Sequence, residues 1–173
     1  TGNRDFKAHA AGNGQRMLVS AQGAYYTDSN GKKVFDGLSG LWCSGLGHAR
    51  AEITEAAARQ MATLDYSPAF QFAHPLSFQL ANKLKELTPA GLDHVFFTNS
   101  GVEAIECAIK TARRYHFVNG NPQRYKLITF KNAFHGRSLG AISATDQAKM
   151  RDGFEPLLPG FDYAKFNDLE GAL

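Results

Sequence analysis

Phe96-Phe97-Thr98-Asn99-Ser100-Gly101-Val102-Glu103-Ala104 is the stretch on which the fold is read. The apolar residues before it predict a short strand over His94–Thr98, and Asn99-Ser100-Gly101 predicts a turn. Ile105, Ala108, Ile109 and Ala112 then recur at helical spacing, so Val102–Phe117 is predicted to be a helix. Ser100 followed three residues later by Glu103 is a capping box. A helix that begins in a glycine turn also aims free backbone N–H groups at one point, where the helix dipole favours an anion. Gly101 lets a ligand come close to the backbone because no Cβ stands in the way. Two readings stay open on this motif alone: an ordinary capped helix, which is the commoner feature, and a phosphate site.

Toward the C-terminus the pattern alternates. Lys126–Phe130 reads as a strand, Ala133–Ser138 as a loop and Leu139–Ala144 as a short helix. Strand–helix–strand spacing implies parallel strands in a covered sheet. The loop Ala133-Phe134-His135-Gly136-Arg137-Ser138 follows a strand's carboxyl end, where ligands of open parallel sheets gather. Phe134 suits stacking on a flat heteroaromatic ring, with His135 beside it. A core Phe next to a turn His is the more common origin of such a pair. Asn167-Asp168 reads as a helix cap before Leu169–Leu173. A helix that short is not stable alone, and two parallel strands are too few for an independent sheet. The natural protein is therefore expected to continue past Leu173, and its start is expected to lie before Thr1.

Toward the N-terminus, residues 36–48 form a glycine-rich loop that carries Trp42, the single tryptophan. Trp42 is read equally as a core plug and as a site wall. Strands are predicted over Arg16–Ser20, Ala24–Thr27 and Lys33–Phe35, the last two joined through the hairpin signal Asp28-Ser29-Asn30-Gly31. Residues 1–12 show no period and read as an arm. Helices are predicted over Ala51–Leu64 and from Pro75 to Leu87, with the aromatic segment Tyr66–Phe72 between them. Gly45-Leu46-Gly47-His48-Ala49-Arg50 lacks the third glycine of a dinucleotide fingerprint and is discounted as one. The fold class is α/β, with a small α+β lobe over residues 1–65 and the beginning of a larger, mostly parallel-sheet domain over 66–173.

Bulk properties exclude several classes. A net charge of +3, with basic residues scattered along the chain, does not suggest a nucleic-acid partner. The apolar runs are far shorter than a membrane span, and no signal peptide opens the chain. Cys43 and Cys107 do not make a disulfide framework, and Cys107 is expected as a small core residue. Cys43 and His48 have no second ligand pair, so no metal is expected. A cytoplasmic location is the default.

The motifs together carry a resemblance. Phe97-Thr98-Asn99-Ser100-Gly101-Val102-Glu103-Ala104 and Phe134-His135-Gly136-Arg137 closely resemble the class III (ornithine/ω-amino acid) subgroup of fold-type I aminotransferases, which use pyridoxal 5′-phosphate (PLP). The front, with Gly40-Leu41-Trp42-Cys43 and Asp65-Tyr66-Ser67-Pro68, is most similar to β-alanine:pyruvate aminotransferases. Ala108–Leu173 is more similar to acetylornithine aminotransferases.

The resemblance implies roles. Ser100, Gly101 and Val102 form the phosphate end of the cofactor site, the last two through backbone N–H; many relatives carry Ser or Thr where this chain has Val102. Phe134 stacks on the pyridine ring and His135 sits beside it. Leu41 and Trp42 line the substrate pocket, and Phe70 reaches the pocket of a partner subunit in a homodimer. The implied reaction is transamination of an ω-amino acid or amine with pyruvate or 2-oxoglutarate. The Schiff-base lysine and the aspartate that pairs with the pyridine nitrogen belong beyond residue 173, since Lys110, Lys126 and Lys131 do not sit in the family's lysine context. No catalytic residue is therefore expected in this chain, which by itself is expected to be inactive. The alternatives are an aminomutase or decarboxylase of the same fold, and a non-catalytic phosphate-binding or dimerisation module.

Overall fold

The computed structural model describes residues 7, 10, 11 and 17–172. Most of the expected N-terminal arm, and Arg16 of the first expected strand, lie outside the described residues. The chain divides into two units, residues 1–80 and 81–173.

The first unit holds an antiparallel sheet of β1 (Leu18–Gln22), β2 (Tyr25–Asp28) and β3 (Lys33–Phe35), in that spatial order. Gln22 pairs with Tyr25 across a tight turn at Gly23, whose φ is +56°. The β2–β3 turn forms where the sequence places it, with Gly31 rather than Asn30 at positive φ. Oδ1 of Asp28 accepts the N–H groups of Asn30 (2.9 Å) and Lys32 (2.8 Å), and Gly31 takes φ +79°. A single helical turn, α1 (Ser39–Trp42), and the helix α2 (Ala51–Thr63) follow; α3 (Pro75–Lys85) begins in this unit. Gly47 explains the glycine pair near residue 46 without a nucleotide: a Cβ there would stand 3.2 Å from the carbonyl oxygen of Gly23.

The second unit contains α4 (Gly101–Val118), β4 (Leu127–Phe130), α5 (Leu139–Ala144), α6 (Ala148–Arg151), β5 (Phe161–Ala164) and a 3₁₀ turn at Glu170–Ala172. β4 and β5 pair in parallel, from Leu127 opposite Phe161 to Phe130 opposite Ala164. The alternation of strand and helix thus gives the parallel pairing expected of it. Two expectations are corrected. His94–Thr98 forms no ladder with any described residue, and Phe96 is exposed rather than buried. The second parallel strand is instead β5, four residues between Gly160 and Lys165.

The core of this unit is small and centres on α5. Gly140, Ala141, Ile142, Ser143 and Ala144 are all buried, and Ile109 of α4 and Ala164 of β5 are buried as well. Small side chains let so short a helix be enclosed. Ser143 and Thr145 are fully enclosed and hydrogen-bonded, as burial of hydroxyls requires. Ser143 Oγ donates to the Leu139 carbonyl (2.6 Å) and accepts from Leu158 N–H (2.8 Å). Cys107 is half-buried on α4 rather than in the core, and both cysteines are free.

Candidate functional site

The start of α4 forms the capping box read in the sequence. Ser100 Oγ accepts the N–H of Glu103 (3.3 Å), and Glu103 Oε2 turns back to accept the N–H of Asn99 (2.7 Å). The capping box is therefore formed. It leaves the N–H groups of Gly101 and Val102 with no acceptor among the described residues. A Cβ on Gly101 would meet nothing within 4 Å, so the approach to these two donors is open. Two free N–H groups at the positive end of an eighteen-residue helix suit an oxyanion such as a phosphate.

Val102 also joins this end to the second motif. Gly136 has φ +132°, and a Cβ there would fall 2.6 Å from Val102 Cγ2 and 3.1 Å from the Ala141 Cβ. Only glycine fits. The loop that carries Phe134 and His135 is thereby pressed against the helix start. Its geometry is held at both ends. His135 N–H donates to Thr145 Oγ1 (2.9 Å), which in turn donates to the Ala141 carbonyl (3.0 Å). Beyond Gly136, the carboxylate of Glu106 accepts the Ser138 hydroxyl and the N–H groups of Gly140 (3.0 Å) and Ala141 (3.2 Å). Glu106 on α4 thus caps α5 from outside its own segment. The Phe134 ring is 53% exposed and free to meet a ligand face.

A groove of about 980 Å³ runs from this turn along α4, lined by Phe96, Phe97, Val102, Cys107 and Lys110 among others. Lys110 lies nine residues past Gly101, roughly 13 Å along the helix axis, so its amine is not at the helix end.

In the first unit, Leu41 and Trp42 are 76% and 91% exposed. They sit in a turn of unusual hand: Ser39, Gly40, Leu41 and Trp42 have φ of 48°, 60°, 61° and 71°. For each residue with a Cβ such a conformation costs about 1–2 kcal/mol. The turn begins at Asp36, whose carboxylate meets His48 Nε2 at 2.7 Å and whose carbonyl accepts the Ser39 N–H (3.4 Å). The His48 hydrogen bond, aided by the N–H groups of Gly40 and Leu38 and the Tyr26 hydroxyl, holds the Asp36 carboxyl below its usual range against the opposing effect of burial. Burial, with the adjacent carboxylate, pushes the Tyr26 phenol up. Phe70 lies between α2 and α3, exposed, and no ring contact among the described residues joins it to Trp42.

Sequence reasoning missed Glu106, Thr145 and Asp36. Glu106 reads as a solvated charge on a helix, and its partners are more than thirty residues away. Asp36 had a usable signal, since it and His48 bracket the glycine-rich loop.

Comparison with known proteins agrees with this geometry. Residues 6–172 match the family model described as aminotransferase class-III. The β-alanine–pyruvate aminotransferase of Pseudomonas aeruginosa is 53% identical over 128 residues, 74% of this chain and 29% of that protein. An acetylornithine aminotransferase of Mesorhizobium japonicum is 42% identical over 151 residues, 87% of this chain and 37% of that protein. Among solved structures, an (S)-enantioselective omega-transaminase from Thermomicrobium roseum superposes with a TM-score of 0.87 at 38% identity, over 95% of this chain and 37% of that one. An amine transaminase from an uncultivated Pseudomonas species, solved in its PLP-bound form, gives 0.80 at 31% identity, over 86% of this chain and 34% of that one. The chain spans about a third of the length of the curated relatives it matches. The α/β fold, with its antiparallel lobe and parallel strands, is that of the fold-type I transaminases, and this chain belongs to the class-III aminotransferase family.

Proposed function

We propose that this chain supplies the phosphate- and ring-binding wall of the PLP site in an aminotransferase that moves an amino group from an ω-amino acid or amine to pyruvate or 2-oxoglutarate. The observation that carries the reading is the pair of free N–H groups at Gly101 and Val102, held against the Phe134–Gly136 loop by Val102. The N–H groups of Gly101 and Val102 hold the phosphate, with Ser100 shaping the turn. Phe134 covers one face of the pyridine ring and excludes water from it. His135, fixed through its backbone by Thr145, sits at the ring's edge. PLP, when bound, supplies an electron sink that acidifies the donor's C–H bond. Leu41 and Trp42 wall the donor's pocket, and Phe70 contributes to the pocket of a second subunit in a homodimer. We place the boundary between lobe and large domain near Asp65, in the irregular stretch between α2 and α3. The lysine that binds PLP covalently, and the aspartate at the pyridine nitrogen, belong to the whole protein outside residues 1–173. Location in the cytoplasm is part of the same reading; among the described residues no helix is long and apolar enough to cross a membrane.

The test is to titrate the whole protein with PLP, with and without inorganic phosphate, and then to assay β-alanine, ornithine derivatives and simple amines against both oxo acids. Tight PLP binding weakened by phosphate, with turnover of an amine and pyruvate or 2-oxoglutarate, supports the reading. Turnover without an oxo acid, or decarboxylation, contradicts it.

A further inference from the structure

Leu41 and Trp42 present a mechanical problem that the fold solves elsewhere. Their side chains are 76% and 91% exposed, so packing among the described residues does not fix them. Their backbone lies in a left-handed turn with only Gly40 free of a Cβ, so local preference does not fix them either. The turn's own backbone bonds are Ser39 N–H to the Asp36 carbonyl (3.4 Å), Trp42 N–H to the Leu38 carbonyl (2.9 Å), and the Cys43 and Ser44 N–H groups to the Ser39 carbonyl, the latter at 2.8 Å. What remains is a clasp. The Asp36 carbonyl accepts the Ser39 N–H (3.4 Å). The Asp36 carboxyl, 7% exposed, meets His48 Nε2 at 2.7 Å and is held low by that bond and by the nearby N–H groups of Gly40 and Leu38; the His48 side chain is 15% exposed. His48 is itself fixed to the sheet. Its N–H donates to the Gly23 carbonyl (2.8 Å), its carbonyl accepts the Gly23 N–H (3.0 Å), and its ring lies 4.5 Å from that of Tyr26. Gly47 is the only kind of residue that permits this approach to Gly23.

We infer that Asp36 and His48 are positioning residues for the substrate wall, holding Leu41 and Trp42 at the place that sets which amino donors fit. The inference rests on the reading that Leu41 and Trp42 line the donor's pocket. Asp36 fixes the turn, and His48 fixes Asp36 to the sheet. Loosening either lets the turn relax toward ordinary backbone angles and moves the Trp42 ring. The consequence falls on donor selection, while the phosphate and ring contacts of the second unit are untouched.

The experiment compares Asp36→Asn, His48→Ala, His48→Gln and Trp42→Ala in the whole enzyme. The readouts are kcat/KM for β-alanine and for a bulky aryl amine, and PLP affinity. Trp42→Ala tests the pocket itself: if it leaves the donor ratio unchanged, the underlying reading fails. With Trp42→Ala shifting the ratio, Asp36→Asn and His48→Ala are expected to shift it at least fivefold, with PLP affinity within twofold of the parent. His48→Gln, which keeps an N–H toward Asp36, is expected to recover most of the parent ratio. Asp36→Asn added to Trp42→Ala is expected to shift the ratio by much less than it does in the parent, since only Leu41 is left to move, whereas a merely structural role would shift the double variant as much as the single. If Asp36→Asn does not fold, the two His48 variants decide by the same criteria. Donor ratios within twofold of the parent in folded variants, failure of His48→Gln to recover the ratio, or failure of every clasp variant to fold would overturn the inference.

Discussion

Val102 Cγ2 lies 2.6 Å from the point that a Cβ on Gly136 would occupy. The turn that opens α4 and the loop that carries Phe134 are therefore one packed unit, and the absence of a side chain at residue 136 lets them meet. Gly136→Ala is expected to destabilise the whole protein by roughly 2–4 kcal/mol, from overpacking together with a backbone angle that alanine resists. It should also weaken PLP binding at least tenfold. Val102→Ala in the same protein removes Cγ2 and should restore part of both losses. Denaturant midpoints and PLP titrations of the single and double variants check this; unchanged stability in Gly136→Ala contradicts it.

Gly101 makes the opposite case. A Cβ there meets nothing within 4 Å and the residue has no left-handed φ. Gly101→Val should fold with the parent's stability to within about 1 kcal/mol and bind PLP at least tenfold more weakly, because its branches stand where the phosphate approaches. Parent-like PLP affinity in this variant would remove Gly101 from the site.

Glu106 holds Ser138, Gly140 and Ala141 through one carboxylate. Removing it takes the acceptor from Gly140 N–H and leaves Ala141 N–H only the longer bond to Ser138 Oγ (3.4 Å), so Glu106→Ala should cost about 2–4 kcal/mol. Glu106→Gln retains an acceptor oxygen and should cost less. Thermal unfolding of the two variants checks the order, and equal losses would show that the acceptor is not what matters.

Asp36 gives a pH signature. Its carboxyl is held low chiefly by the His48 hydrogen bond. Its contribution to stability is therefore fully present above the ordinary carboxylate value near pH 4, about where an unfolded aspartate titrates. That contribution is lost as pH falls through the lowered folded value. Glu52, held low by Arg50, acts in the same direction and remains in the variant. Asp36→Asn should thus flatten, without abolishing, the fall in urea midpoint between pH 5 and 2. An acid limb as steep as the parent's would show that the folded pKa of Asp36 is ordinary.

What the sequence disclosed was local chemistry. The Asp28–Gly31 hairpin and the Ser100/Glu103 cap are set by residues within a few positions of one another, so both are readable and both form. Trp42 was legible as the bulky residue of a glycine-rich loop, but the left-handed turn around it was not, and the contact of Asp36 with His48 joins residues twelve positions apart. His94–Thr98 misled because a strand is a relation to a partner, and composition says nothing of the partner. β5 was hidden because four residues between turns give too short a run for periodicity to register. The reach of Glu106 to Ser138 depends on tertiary packing alone.

In the function proposed above, this chain binds the cofactor's phosphate and ring but does not carry the lysine that binds it covalently. The most direct measurement is to load the whole protein with PLP, reduce it with borohydride and locate the pyridoxyl-lysine by peptide mass spectrometry. One stoichiometric adduct is expected on a lysine outside residues 1–173, its yield reduced in Gly101→Val. A stoichiometric adduct on Lys110, Lys126, Lys131 or any other lysine within residues 1–173 would contradict it.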